Sequence, residues 1–373
     1  MPDGGSASPV QVTFDDQVFT FTRRSGVARY FTELLRIYRA EPSLGVDALT
    51  PFRYVISEHL LELDPIRYRR APLPEIAQRP GVLRPLNRLT GRPRHRRAQL
   101  LHHTHYFPDA LDVPADFRLC TIYDMIPELF PEHFPNGSPH GAKRRYVDAC
   151  DAILCISQTT KNDLLRLYGS LNKPVVVTPL GVSELFFDPP PRDQDDPDYV
   201  LHVGQRFSYK NFDVLLRALE RLSADRPSLS LVCVGPPFDP TELARLDELA
   251  LRERVQHRIA DDAELPALFA SALCFVFPSL YEGFGLPIVE AFAAGCPVIL
   301  ADMPCSTEVG GSAAQYFPHA DDESLATLID QMAGDPIARA RWVDAGRIRA
   351  REFSWRRTAE LTRDVYRNLV AGE

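Results

Sequence analysis

The sequence predicts an α/β fold of two domains, each with helices packed on a parallel sheet. Short apolar runs alternate with amphipathic stretches along the chain, the alternation stops at residues 188–198, and it then restarts. At 373 residues the chain is long for one hydrophobic core and ordinary for two domains. With 45% hydrophobic and 25% charged residues, disordered, collagenous and coiled-coil classes are excluded.

The first strand is VQVTF at 10–14. A loop ending at Ser25-Gly26 leads into a helix from Val27 to about Arg39, where Val27, Tyr30, Phe31, Leu34, Leu35 and Tyr38 recur at three-and-four spacing. Further strands are expected at 46–52, 99–106, 118–125, 152–157 and 175–180. The stretch DPPPRDQDDPD, 188–198, has no hydrophobic residue except proline and reads as an interdomain linker. Beyond it, strands at 199–204, 229–235, 255–260, 273–279 and 297–302 alternate with helices over 211–222, 240–251, 263–272 and after Pro287. The C-terminal FSWRRTAELTRDVYRNLVA reads as a helix capped by Ser354, with Trp355, Ala359, Thr362, Tyr366 and Leu369 on one face. It either seals the second core or reaches the first domain. The expected domains are 1–187, a linker at 188–198, 199–353, and a closing helix at 354–373. A cleft between two such domains, at the carboxyl ends of parallel strands, is the default ligand site.

Charge is unevenly spread. The net charge of -8 divides into +2 over residues 1–190 (23 Lys+Arg, 21 Asp+Glu) and -10 over 191–373 (19 and 29). The seven cysteines include Cys155, Cys233 and Cys274 inside apolar runs, and no C-x-x-C occurs, so they read as buried thiols of a reducing compartment. MPDGGSASPV lacks the basic and apolar regions of a signal peptide, and no apolar run approaches the ~20 residues of a membrane-spanning helix. A cytoplasmic protein is expected.

Two segments carry chemistry. In FPSLYEGFGLPIVEAFAAGCPVI, 277–299, a strand ends at Ser279, a glycine-containing loop follows, and Pro287 opens a short helix that Gly295 and Pro297 stop. The helix N-terminus, about Gly285 to Ile288, offers backbone N–H groups to an anion. Glu282 enters from the loop and Glu290 from the helix, and paired carboxylates suit sugar hydroxyls. An ordinary surface loop with a glutamate favouring the helix dipole is the competing reading. In HVGQRFSYKNFDVLLRAL, 202–219, a strand runs through Gly204 to Arg206 and Lys210 before a helix, which places two cations at a strand's carboxyl end. Only four of the 42 basic residues are lysines, so Lys210 reads either as a point charge chosen for a diphosphate or as an incidental surface lysine.

Together these segments resemble the donor site of the retaining glycosyltransferases of family 4 (group 1), enzymes of the GT-B fold, in which two Rossmann-like domains face each other across a cleft. E-G-F-G-L-P-x-x-E-A matches their paired-glutamate motif and G-x-R-x-x-x-K-N their cation motif. S-G-V-A-R-Y (25–30) resembles their first-domain phosphate loop and T-I-Y-D-M-I-P (121–127) their acceptor-side motif. The resemblance implies that Arg206 and Lys210 bind the diphosphate and stabilise its departure. It also implies that Glu290 holds ribose hydroxyls, that Glu282 with the backbone of Phe284, Gly285 and Leu286 holds the donor sugar, and that Gly26 and Gly204 approach the donor. Tyr123, Asp124 and His105 would stand on the acceptor side. Tyr123 occupies a place where many relatives have histidine, and the loop at Gly26 has one glycine where many have two. No metal and no cofactor are implied, the substrate being a nucleoside-diphosphate sugar, GDP-mannose or a UDP-sugar. His103 and His105 share a strand face, but no third metal ligand accompanies them. The D-x-D at Asp193 to Asp195 lies in the linker.

Residues 66–97 contain ten arginines and one acid, Glu75, interleaved with apolar residues and prolines. They read either as a solvated, proline-broken insertion or as a surface for anionic lipid or a phosphate-bearing acceptor, extended by Lys143, Arg144 and Arg145. Nucleic acid is disfavoured by the prolines and the acidic second half. The expected function is retaining transfer of a hexose, with mannose favoured, to a glycan or polyprenyl-diphosphate-linked acceptor in cell-surface polysaccharide or glycolipid synthesis, at the inner face of the membrane. A non-catalytic nucleotide-sugar-binding protein and a sugar-nucleotide epimerase are the alternatives.

Overall fold

The computed structural model describes residues 8–90, 97–134, 140–190 and 198–372. The chain divides into two compact units, one running to Leu180 and resuming at Trp355, the other spanning Gly181–Ser354. The first contains β1 (Val10–Phe14), β2 (Val46–Leu49), β3 (Ala98–His103), β4 (Ala115–Ile122), β5 (Ala152–Cys155) and β6 (Val175–Val177). All pair in parallel, in the order β2-β1-β3-β4-β5-β6. The second contains β7 (Tyr199–Val203), β8 (Ser230–Val234), β9 (Val255–Arg258), β10 (Cys274–Phe277), β11 (Val298–Ala301) and β12 (Gln315–Phe317). These are also parallel, in the order β12-β11-β10-β7-β8-β9. The fold is thus the expected α/β class with two parallel sheets.

Three of the inner strands are wholly buried. Every residue of β5, β10 and β11 is inaccessible, as a parallel strand covered by helices on both faces requires. The helix Gly26–Ala40 buries Ala28, Tyr30, Phe31, Leu34, Leu35 and Tyr38 against the first sheet. Ser25 starts it, its hydroxyl accepting the Ala28 N–H at 3.2 Å. In the second unit the helix Phe212–Arg221 buries Val214, Leu215, Ala218 and Leu219 in one core with Leu231, Val276 and Ile299. β12 escaped the sequence reading because three residues are too short to show a period.

The boundary between the units falls ahead of the proline-rich stretch. Val182 donates its N–H to Phe353 at 3.1 Å, and buried Phe186 meets Phe269 with ring centroids 6.2 Å apart, so 181–187 pack with the second unit. Most of the linker, 191–197, with the Asp193–Asp195 motif, lies outside the described residues. The last helix, Trp355–Ala371, packs within the first unit through Trp355, Ala359, Thr362, Val365 and Tyr366. Its Ala359 carbonyl accepts the Tyr38 hydroxyl at 2.8 Å, and Tyr366 Oη bonds His102 Nδ1 at 2.6 Å.

The arginine-rich stretch holds a helix, Pro80–Thr90, that runs through Pro85. Proline inside a helix costs about 3 kcal/mol, and here the helix is anchored by buried polar side chains. Asn87 Nδ2 donates to Asp16 at 2.9 Å, and Arg84, 7% exposed, reaches Asp109 at 2.5 Å and Asp16 at 3.5 Å. Arg84 is therefore internal. Arg92, Arg94 and Arg96 lie outside the described residues. Lys143 does not extend a basic surface either. It is 1% exposed, with Nζ donating to Glu128 at 2.8 Å and to the Asp124 carbonyl at 2.9 Å, while Arg144 pairs with Asp148.

Candidate functional site

In each parallel sheet the strand order reverses once, and loops leaving the carboxyl ends diverge there, opening space for a ligand. The second sheet reverses between β7 and β10, the first between β1 and β3. Arg206, Lys210, Glu282 and His105 fall on the loops that follow β7, β10 and β3, whereas Tyr123 and Asp124 follow β4 and Glu290 lies within the helix after β10.

In the second unit, Gly204 ends β7 with φ +126° and donates its N–H to Val234 at 2.9 Å. After it, Ser208–Lys210 form one 3-10 turn and Asn211, at φ 53°, opens the next helix. Asn211 Nδ2 donates to the carbonyls of Pro278 (3.2 Å) and His319 (2.7 Å), and Leu280 N–H donates to the Tyr209 carbonyl at 2.8 Å. These bonds tie the loop after β7 to the loop after β10. Across them Lys210 Nζ meets Glu282 Oε1 at 2.6 Å, with side chains 17% and 13% exposed. The structure thus brings together Lys210 and Glu282, the cation and carboxylate that the two motifs supplied separately.

Gly285 caps the helix Leu286–Ala293 in a left-handed conformation, φ 94°. A side chain there would press on Ile288 at 2.8 Å besides straining the backbone. The Ile288 N–H is already bonded to the Gly285 carbonyl at 2.9 Å, so the N–H groups open to an anion are fewer than the sequence implied. Phe284 is buried edge-on against Phe353, and Glu290, on the second helical turn, is 4% exposed.

Arg206 is held more tightly than the sequence indicated. Its side chain is 2% exposed, with Nε donating to Glu242 at 2.7 Å and Nη2 to the Pro236 carbonyl at 2.7 Å, and its guanidinium lies 4.5 Å from the Phe238 ring centre. Glu242 also accepts the Asp239 N–H at 2.8 Å, closing a capping box with Asp239 at the start of Pro240–Glu248. Nη1 is buried without a partner next to Gly235. Glu242 and Gly235 were missed in sequence. The D-P-T-E capping pattern was legible, but its link to Arg206 was not.

In the first unit, Gly26 opens the helix capped by Ser25. Tyr123 is buried and its hydroxyl donates to the Thr104 carbonyl at 3.3 Å. The Asp124 carboxylate accepts the Ile126 N–H at 3.0 Å. Asp15, just after β1, was missed. It accepts from His103 Nδ1 (2.9 Å), Thr104 Oγ1 (2.6 Å) and Gln17 Nε2 (2.6 Å), stitching the β1 loop to the β3 loop. Burial raises its pKa, but His103, Thr104 and Gln17 outweigh that and hold the carboxyl below its usual range. His105 Nδ1 accepts the Tyr106 N–H at 2.8 Å. Burial, reinforced by His140, lowers the His105 pKa to about 4. Asp15 also lines a cavity of about 380 Å³ beside β1 and β3, together with Thr13, Phe52, Arg84, Leu101 and Asp109. Among the described residues no group of three or more His, Cys, Asp or Glu is placed to hold a metal ion. All seven cysteines are free and buried.

The two halves match two family models, "Glycosyltransferase Family 4" over residues 24–184 and "Glycosyl transferases group 1" over residues 185–349. Among curated proteins, the chain is 32% identical over 236 residues to the MMP alpha-(1->4)-mannosyltransferase of Mycolicibacterium hassiacum, covering 61% of this chain and 57% of that one. It is 29% identical to the O-antigen chain mannosyltransferase B of Escherichia coli, covering 60% and 62%. The match thus spans about three fifths of the length of these relatives. Among solved structures, WaaG, a glycosyltransferase involved in lipopolysaccharide biosynthesis, superposes with a TM-score of 0.69 at 17% identity over 95% of this chain and 99% of that one. Anabaena HepE in complex with UDP and glucose gives 0.71 at 18% identity over 97% and 100%. The fold is GT-B, and the chain belongs to the family 4, group 1 glycosyltransferases.

Proposed function

We propose that this chain moves a hexose, mannose from GDP-mannose, with retention of anomeric configuration, onto a glycan or polyprenyl-diphosphate-linked acceptor of cell-surface polysaccharide or glycolipid. The Lys210–Glu282 pair at the strand-order reversal of the second sheet carries the reading. It supplies a point charge for a departing diphosphate next to a carboxylate for sugar hydroxyls. On donor binding, Lys210 exchanges part of its contact with Glu282 for phosphate oxygen, where charge grows as the glycosidic bond breaks. Glu282 then accepts hydroxyl hydrogen bonds and orients the hexose. Arg206, ion-paired to Glu242, contributes its unpartnered Nη1 donor beside Gly235. The cations do this work without a metal ion.

The relatives that are named mannosyltransferases favour mannose. The alpha-(1->4) linkage in one of those names favours retention, since sugar nucleotides of mannose are themselves α-linked. A UDP-sugar is the second donor, favoured by the UDP and glucose held by HepE. Exposed Ile66, Ile76 and Leu89 are what supports an acceptor side that meets an anionic membrane face. These are 84%, 89% and 84% exposed among the arginines of 66–90. This would make the protein peripheral at the inner leaflet.

The test incubates the protein with GDP-mannose, UDP-glucose and UDP-N-acetylglucosamine, with and without EDTA, and follows nucleotide release and the anomeric proton of the product. GDP release from GDP-mannose that survives EDTA, with an α-linked product, is expected. No release from any of the three refutes the activity, loss with EDTA refutes metal independence, and a β-product refutes retention. Co-sedimentation with phosphatidylglycerol vesicles tests the membrane reading, which absence of binding at low salt overturns.

A further inference from the structure

At the strand-order reversal of the first sheet, three rings from two loops meet. Phe21 ends the short helix Gln17–Phe21 that follows β1, and His105 and Phe107 lie on the loop after β3. The His105 centroid is 5.1 Å from Phe21 and 5.0 Å from Phe107, the latter pair stacked at 27°. Phe21 meets Phe107 edge-on at 5.5 Å. Phe21 is 46% exposed, although Val18 and Phe19 of the same helix are buried. A scattered exposed phenylalanine needs no explanation. One fixed in a ring cluster, at the edge where open α/β sheets take ligands, does.

The polar groups around the rings define the ligand. His105 Nδ1 accepts the Tyr106 N–H, so the neutral ring carries its proton on Nε2, a donor without charge. Arg84 lies over Phe107 at 5.1 Å, but its charge is met by Asp16 and Asp109. The cluster therefore presents the exposed Phe21 ring, backed by partly buried Phe107 and by the buried, uncharged imidazole of His105. A phosphate needs a cation that this cluster does not spare. A pyranose matches it, because its C–H face complements the negative face of the exposed Phe21 ring and a hydroxyl can accept the imidazole N–H.

We infer that Phe21, His105 and Phe107 form a platform that binds a neutral sugar residue of the acceptor. This rests on the glycosyltransferase reading and sharpens it, since the acceptor then meets the first unit through a saccharide and not through a lipid phosphate. Phe21 and Phe107 become specificity residues that donor motifs do not contain.

The test uses the full chain and its Phe21→Trp and Phe21→Ala variants, with methyl α-D-mannopyranoside, mannobiose and inorganic diphosphate as probes. In F21W, saturable change of tryptophan emission on adding the glycosides, absent from the parent protein, is expected. In F21A, saturation-transfer signals of the glycosides should fall by about tenfold, the loss of roughly one aromatic contact. GDP titration should still saturate, which separates loss of the platform from loss of fold. Unchanged glycoside signals in F21A, an F21W response to diphosphate but not to glycosides, or no F21W response to either glycoside would each overturn the platform. Failure of all nucleotide sugars to react would instead refute the transferase reading, and glycoside binding would still report on the platform.

Discussion

Replacing Lys210 with methionine separates charge from packing at the donor site. Methionine keeps the aliphatic stem and removes the ammonium, so Glu282, 13% exposed, loses the cation 2.6 Å away. Breaking a buried pair by removing one partner costs about 3–5 kcal/mol, and partial exposure puts this pair near the lower end, about 3 kcal/mol. For a unit of this size each kcal/mol lowers Tm by about 2–4 °C, so the second unit should melt about 6–12 °C earlier. Turnover should fall by about two to three orders of magnitude, the usual consequence of removing one group that stabilises developing charge. The double variant K210M/E282Q decides between the two effects. It leaves no unpaired charge, so Tm should return most of the way while turnover stays low. The assays are thermal unfolding and nucleotide release side by side. Recovery of turnover in the double variant, or near-parental turnover in K210M, would refute the role given to Lys210.

Two further outcomes follow from the same geometry. Gly235→Ala would drive a Cβ into the Gly204 carbonyl at φ +152°, so donor affinity should drop and stability fall by about 1–3 kcal/mol; unchanged nucleotide titration and Tm would show that the two loops relax freely. Burial holds His102, His105 and His202 at about pKa 3, 4 and 4, below the unfolded value near 6.5, so between those limits the unfolded chain binds more protons. Stability should therefore be level above about pH 7 and decline on acidification from 6.5 towards 4, each histidine contributing up to about 1.4 kcal/mol per pH unit. A Tm that rises between pH 6.5 and 5 would contradict the neutral assignment of these rings.

What the sequence determined by itself was local. Alternating apolar runs and turn residues mark where most strands begin and end, because each strand must be apolar over its own few residues to lie inside a covered parallel sheet. The same local logic placed Lys210 and Glu282 on loops at strand ends, since glycine and proline punctuate those loops in sequence. The tertiary structure decided what those residues meet. Lys210 and Glu282 are 72 positions apart and Arg206 and Glu242 are 36 apart, and no pattern of period two or 3.6 encodes such pairs. Strand order put β7 beside β10 and β1 beside β3, and that order alone located both reversals. It turned Lys143 and Arg84, read as surface charge, into buried partners of Glu128, Asp16 and Asp109. It carried a helix through Pro85 on the strength of bonds to Asp16 and gathered Phe21, His105 and Phe107 into one cluster. A chain's composition states which side chains are charged or aromatic, but desolvation and partner choice depend on what packs against them, and only the folded chain sets that.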